Sequence, residues 1–141
     1  LKKIVQKDET ENNLRKVLNL GHTFAHAYES NTGFSNKLNH GEAVIIGIKN
    51  AIELSNQLKL LKNKTYNLII KHLNKIPLNK SFKNLFKMND IDKIIYFMKS
   101  DKKNNSNNIN IILIKNIGMI KTNYQIHQSS LKKFLISELN N

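Results

Sequence analysis

The sequence predicts a mostly α-helical domain with one small β-hairpin near the C-terminal third. Three observations predict it. Apolar residues recur at helical spacing in Tyr66, Ile69, Ile70, Leu73 and Ile76, and again in Ile91, Ile94, Ile95 and Met98. Gly41 to Leu58 is a long, strongly apolar segment with no proline. Two β-prone runs, Ile109 to Ile114 and Met119 to Tyr124, flank the turn-like residues Lys115 to Gly118.

Taken in order, Leu1 to Asn13 opens with Ile4-Val5 and passes into a charged turn or short helix, with Asp8 or Thr10 as a possible cap. A helix is expected over Leu20 to Glu29, with Asn19 suited to cap it. If the helix instead began at Arg15, then Arg15, Asn19, His22, His26 and Glu29 would share an arc of roughly 80° at about 100° per residue. Val17, Leu20, Phe24 and Tyr28 would lie opposite. Ser30 to Asn39 reads as a loop. The helix that follows carries Glu42 in its first turn, where a carboxylate complements the dipole. Ala43, Gly47 and Ala51 form a small-residue ridge on it that admits a close neighbour. Lys64 to Ile76 is expected to stop at Pro77, and Asp90 to Lys99 repeats the core stripe. Asp101 to Asn108 is a polar loop, and Ser129 to Leu139 is a closing helix capped by Ser129 or Ser130.

The length of 141 residues suits a single domain, 1–141, able to bury a core. The opening Leu1-Lys2-Lys3, with no initiator methionine and no signal segment, is expected to belong to a piece of something longer. No apolar run approaches the roughly 18 residues of a membrane span, so no membrane partner is expected. Without cysteine, any metal must be held by His, Asp or Glu, and a cytoplasmic location fits. The net charge of +13 is spread from Lys2 to Lys133 among Asn and Ile, the pattern of A/T-rich codon usage. It forms no basic stripe with interleaved aromatics, so a nucleic-acid-binding helical module is the lesser alternative.

Three of the five histidines lie between Arg15 and Glu42, where the polar stripe carries no lysine. His22 and His26 stand one turn apart and can meet. One metal could bind both, or one ring could bind metal and the other a substrate anion. With no Glu after the first His, the pair is not a metalloprotease motif, and by itself it reads most simply as two satisfied helix histidines. Arg15 and Asn19 extend the face with donors suited to phosphate or carboxylate. His40 precedes a glycine at the head of an apolar helix, and Gly21 and Gly41 permit close backbone approach beside His22 and His40. A cation there needs three or four protein ligands including a carboxylate, from Glu29, Glu42 or elsewhere.

LNLGHTFAHAYE at 18–29, followed by HGEAVIIGI at 40–48, resembles the C-terminal domain of the 3-dehydroquinate synthase family. DETENNLR at 8–15 and Asp101-Lys102-Lys103 followed by IILIKNIG extend the similarity from about Ile4 to Gly118. The resemblance implies an enzyme, a phosphorus–oxygen lyase of the shikimate pathway of aromatic amino acid biosynthesis. Such an enzyme converts 3-deoxy-D-arabino-heptulosonate 7-phosphate to 3-dehydroquinate and phosphate, with NAD and Zn2+ or another divalent metal such as Co2+. It implies His22 and His40 as metal ligands, His26 as catalytic near the departing phosphate, and Arg15, Asn19 and one of Lys102 and Lys103 as substrate contacts. It also implies a homodimer at full length. Related alternatives are another sugar-phosphate cyclase or a glycerol-dehydrogenase-like enzyme.

The sequence departs from the family pattern at Ala25, where a glycine is usual, and at Leu1, where the family's lysine falls. It has no Gly-rich turn after a strand. The N-terminal nucleotide-binding domain, with the NAD site and a third metal ligand, is expected to be absent from this piece, and the piece alone to be inactive.

Overall fold

The computed structural model describes residues 20–33, 38–78, 80–100, 107–116 and 119–140. Among these, six α-helices and one antiparallel hairpin make up the mostly helical domain that the periodicities predict. The helices are α1 (His22–Thr32), α2 (His40–Gln57), α3 (Asn63–Leu73), α4 (Phe82–Leu85), α5 (Ile91–Ser100) and α6 (Gln128–Asn140). A 3-10 turn, Met88–Asp90, leads into α5. The strands are β1 (Asn108–Asn116) and β2 (Met119–His127). No helix among the described residues is long and apolar enough to cross a membrane.

The first described helix ends later than expected, and a turn at Gly21 separates it from Leu20. Gly21 occupies its N-cap, the proposed cap Asn19 lies outside the described residues, and the chain stays helical through Thr32, shortening the predicted loop. It stops at Gly33, whose φ of 70° is open to glycine at little cost, and whose N–H caps the carbonyls of Glu29 and Ser30. α2 starts at His40 behind a reciprocal capping box: Asn39 Oδ1 accepts from Glu42 N at 2.8 Å, and Glu42 Oε1 accepts from Asn39 N at 3.0 Å.

α1 and α2 run antiparallel, Gly21 lying against Gly47 while Glu29 lies against His40. The Ala43, Gly47, Ala51 ridge is the contact that allows this: all three are buried, and a Cβ at Gly47 would stand 2.3 Å from the Gly21 carbonyl oxygen. Beneath the pair lies an aromatic cluster in which the Tyr28 ring centre is 5.4 Å from that of Phe82 and 5.1 Å from that of Phe86. Phe24 joins it to Phe134 on α6. The buried Tyr28 hydroxyl donates to Asn50 Oδ1 at 2.5 Å, and Asn50 Nδ2 donates to Glu138 Oε1 at 3.1 Å, tying α1, α2 and α6 together.

α5 buries Ile91, Ile94, Ile95 and Met98 as its stripe predicts. α3 fits less well. Tyr66, Ile69, Ile70 and Leu73 are only partly buried against the core, and the helix gives way to a turn after Leu73, leaving Ile76 outside it and exposed. The hairpin is longer than predicted. Register shifts between Ile111 and Leu113 and between Ile114 and Asn116 accompany burial of the consecutive residues Leu113 and Ile114. It rests on α2, where Ser55 Oγ accepts from Ile114 N at 3.1 Å and donates to Ala51 O at 2.7 Å. α6 begins at Gln128, directly after the last residue of β2, His127, whose Nδ1 accepts from Ser129 N at 3.1 Å; Ser129 and Ser130 already lie inside the helix, so neither is the cap.

Candidate functional site

The glycine contact puts the start of α1 beside the second turn of α2, and the capping box holds the start of α2 beside the end of α1. His22 is the first residue of α1 and His40 the first of α2. Their imidazole centres are 6.1 Å apart, with the ring planes at 42°. Two imidazoles bound through nitrogens to one tetrahedral zinc, at about 2.0–2.1 Å each, have ring centres roughly 5–6 Å apart. The observed spacing is close to that value. Both histidines are solvent-exposed, so the approach is open.

Glu29 lies two turns along α1 from His22 and reaches His40 from behind. Nδ1 of His40 is 3.2 Å from Glu29 Oε1 and 3.2 Å from Oε2. The carboxylate side chain is 12% exposed while the imidazole is 69% exposed. The ring is gripped on one flank and open on the other.

Glu42 is committed elsewhere. Its Oε1 accepts from Asn39 N and from Lys80 Nζ, the latter at 2.9 Å. The backbone N–H of Asn39 and then the Lys80 ammonium hold the Glu42 carboxyl below the usual carboxylate range. Both carboxylates weighed as a third ligand are thus turned to other partners, and no group of three His, Cys, Asp or Glu able to hold a metal is found among the described residues. What those residues present is two exposed imidazoles side by side.

His26 is exposed one turn beyond His22 on the same face of α1. Arg15, Asn19, Lys102 and Lys103 lie outside the described residues. Lys80 had escaped the sequence reading: it is 38 residues from Glu42, and no local pattern announces an ion pair across that span.

A profile of the family described as 3-dehydroquinate synthase C-terminal matches residues 1–104. The 3-dehydroquinate synthase of Pelagibacter ubique is 44% identical over 138 residues, covering 98% of this chain and 38% of its own length. That of Endomicrobium trichonymphae is 42% identical over 123 residues, covering 86% of this chain and 32% of its own. This chain therefore spans about a third of the length of these curated relatives. Among solved structures, a 2-deoxy-scyllo-inosose synthase complexed with carbaglucose-6-phosphate, NAD+ and Co2+ shares the fold, with a TM-score of 0.62 at 23% identity over 86% of this chain and 33% of that one. With the profile spanning most of the sequence and relatives this similar along almost all of it, the chain belongs to the 3-dehydroquinate synthase C-terminal family.

Proposed function

We propose that this chain forms the metal- and substrate-binding helical part of a 3-dehydroquinate synthase, acting on 3-deoxy-D-arabino-heptulosonate 7-phosphate to give 3-dehydroquinate and phosphate in the shikimate pathway. The observation that carries the reading is the 6.1 Å convergence of His22 and His40 from two helices locked together by the Gly21–Gly47 contact. The identity of 44% to a 3-dehydroquinate synthase, against 23% to a 2-deoxy-scyllo-inosose synthase, favours this substrate over that of a related sugar-phosphate cyclase.

In this reading His22 and His40 hold a divalent cation, zinc or cobalt, with its remaining ligand and the NAD site supplied from outside the described residues. When bound, the cation would polarise a substrate hydroxyl, and the nicotinamide would supply an acceptor and donor for the hydride of the carbon that bears it. His26, exposed beside His22, faces the phosphate and donates a hydrogen bond or proton to the departing oxygen. Arg15 contacts an anionic end of the substrate, and Asn19 and one of Lys102 and Lys103 contact it as well. On the same resemblance the assembled enzyme is a cytoplasmic homodimer.

Metal analysis and turnover of the longest natural chain containing these 141 residues test the assignment. His22→Ala and His40→Ala are expected to lose the metal. His26→Ala is expected to keep it while phosphate release slows by about 10²–10⁴-fold. Full metal in His22→Ala, or equal loss in all three variants, would overturn these roles.

A further inference from the structure

We infer that Glu29 is a positioning residue: it fixes the tautomer and direction of the His40 imidazole so that Nε2 is presented to the cation. This rests on the reading of His40 as a metal ligand.

Three observations carry it. Both Glu29 oxygens lie 3.2 Å from His40 Nδ1, so the carboxylate is aimed at that nitrogen and not past it. The Glu29 side chain is nearly buried, at 12% exposure, where a carboxylate needs a hydrogen-bond donor to offset lost hydration. An N–H at Nδ1 supplies that donor. The His40 ring is 69% exposed, and its other nitrogen, on the opposite flank of the ring, is directed away from the carboxylate.

An imidazole donating from Nδ1 keeps its lone pair at Nε2, the form a cation requires. A carboxylate on the remote nitrogen both selects that form and makes the ligand more basic. The sequence suggested Glu29 as a direct ligand. The structure places it one bond further out, where it acts on the metal only through His40.

α1 and α2 are also joined by this pair at the end away from Gly21 and Gly47. Glu29 is fixed in turn by its place in the last turn of α1, which Gly33 and Thr32 close by donating to its backbone carbonyl. The orientation of His40 is therefore set by the end of the first helix and does not depend on the loop between the helices.

The test uses the longest natural chain containing these residues. In the metal-free protein, nitrogen NMR of the imidazoles is expected to show neutral His40 carrying its proton on Nδ1. Glu29→Ala is expected to shift it towards the Nε2–H form and to weaken zinc binding, measured by competition with a chromophoric chelator, by about 10–100-fold. Glu29→Gln, whose amide oxygen can still accept from Nδ1–H, is expected to preserve the tautomer and most of the affinity.

Neutral His40 protonated on Nε2 in the wild-type metal-free protein would overturn the inference, and that measurement stands even if Glu29→Ala fails to fold. So would wild-type zinc affinity in a folded Glu29→Ala when His40→Ala binds weakly, a result that leaves His40 a ligand. Unchanged affinity in His40→Ala would instead remove the reading on which the inference rests, and the inference with it.

Discussion

Gly21 and Gly47 meet backbone to backbone where α1 crosses α2. A Cβ on Gly47 would lie 2.3 Å from the Gly21 carbonyl oxygen, and one on Gly21 would lie 2.6 Å from the Ile48 nitrogen. Both obstructions are main-chain atoms, so no side chain can swing aside to relieve them. Gly47→Ala is expected to push α2 off α1 and to cost about 1–3 kcal/mol, the usual penalty of overpacking, read from the urea midpoint. Because His22 follows Gly21 directly, the same variant should also bind zinc more weakly than wild type. An unchanged midpoint and unchanged zinc affinity would mean that the crossing is not what sets the histidine pair.

The start of α2 gives a second prediction. Asn39 caps the helix through its side chain, and His40 is the next residue. Asn39→Ala removes the acceptor for Glu42 N and is expected to cost about 0.5–2 kcal/mol. Amide exchange should quicken in the first turn of α2 well before it does so in the middle of the helix. Uniform exchange along α2 in the variant would show that the cap is dispensable.

These two sites differ in how far they were legible from sequence. The small residues at 43, 47 and 51 repeat every four positions on one helix, so their ridge is a local pattern, and the structure uses it as expected. The pairing of His22 with His40 was legible only through the family resemblance, since spacing alone set His22 beside His26. The part played by Glu29 was not. Its spacing from His22 puts it on the histidine face, which suggests a ligand, but whether it meets a cation or a ring depends on where a second helix begins.

Helix ends were likewise decided by partners that propensity does not see. Ser129 has the better capping side chain, yet β2 runs directly into α6, so the boundary residue is His127 and its ring nitrogen accepts the free N–H. The short α4 and the 3-10 turn before α5 carry too few residues to show a period, and the sequence reading passed over both.

Two tyrosines give a pH prediction. Burial pushes the Tyr28 phenol well above its ordinary value, with the charge of Glu138 adding to the effect. Tyr66 is raised by burial and then by its hydrogen bond to Glu53. Below about pH 10 a tyrosine is protonated in both folded and unfolded chains, and stability does not depend on it. Above that, the unfolded chain releases its phenolic protons while the folded chain retains them, so the unfolded state binds fewer protons and stability falls as pH rises. The urea midpoint is expected to hold to about pH 10 and then decline. A Tyr28→Phe/Tyr66→Phe chain should decline less steeply above that pH. Equal slopes in the two chains would refute the attribution.

Tyr28→Phe has a separate consequence at neutral pH. The phenyl ring keeps its place among Phe82 and Phe86, but Asn50 Oδ1, in a residue only 4% exposed, loses its donor. Leaving a buried acceptor unsatisfied costs about 1–3 kcal/mol. Pairing the change with Asn50→Leu should recover part of that loss, because the polar group is then removed along with its partner. The interaction energy of such a cycle separates the hydrogen bond from the packing. If the double variant is less stable than the sum of the two single changes, the Tyr28–Asn50 bond is not the source of the cost.

Ser55 supplies the last prediction, because it is the buried hydroxyl through which the hairpin is fastened to α2. Its Oγ donates to Ala51 O one turn back and accepts the Ile114 N–H of β1, in a residue with no exposed surface. A strand N–H facing a helix has no ladder partner on that side, and where β1 shifts register the hairpin cannot supply one. Ser55→Ala leaves the Ile114 N–H buried without an acceptor and is expected to cost about 1–3 kcal/mol. The loss should appear first as faster amide exchange in β1, while the His22–His40 end of α2, four turns away, keeps its zinc affinity. Weakened zinc binding in Ser55→Ala would show instead that the hairpin and the histidine site are coupled through the length of α2.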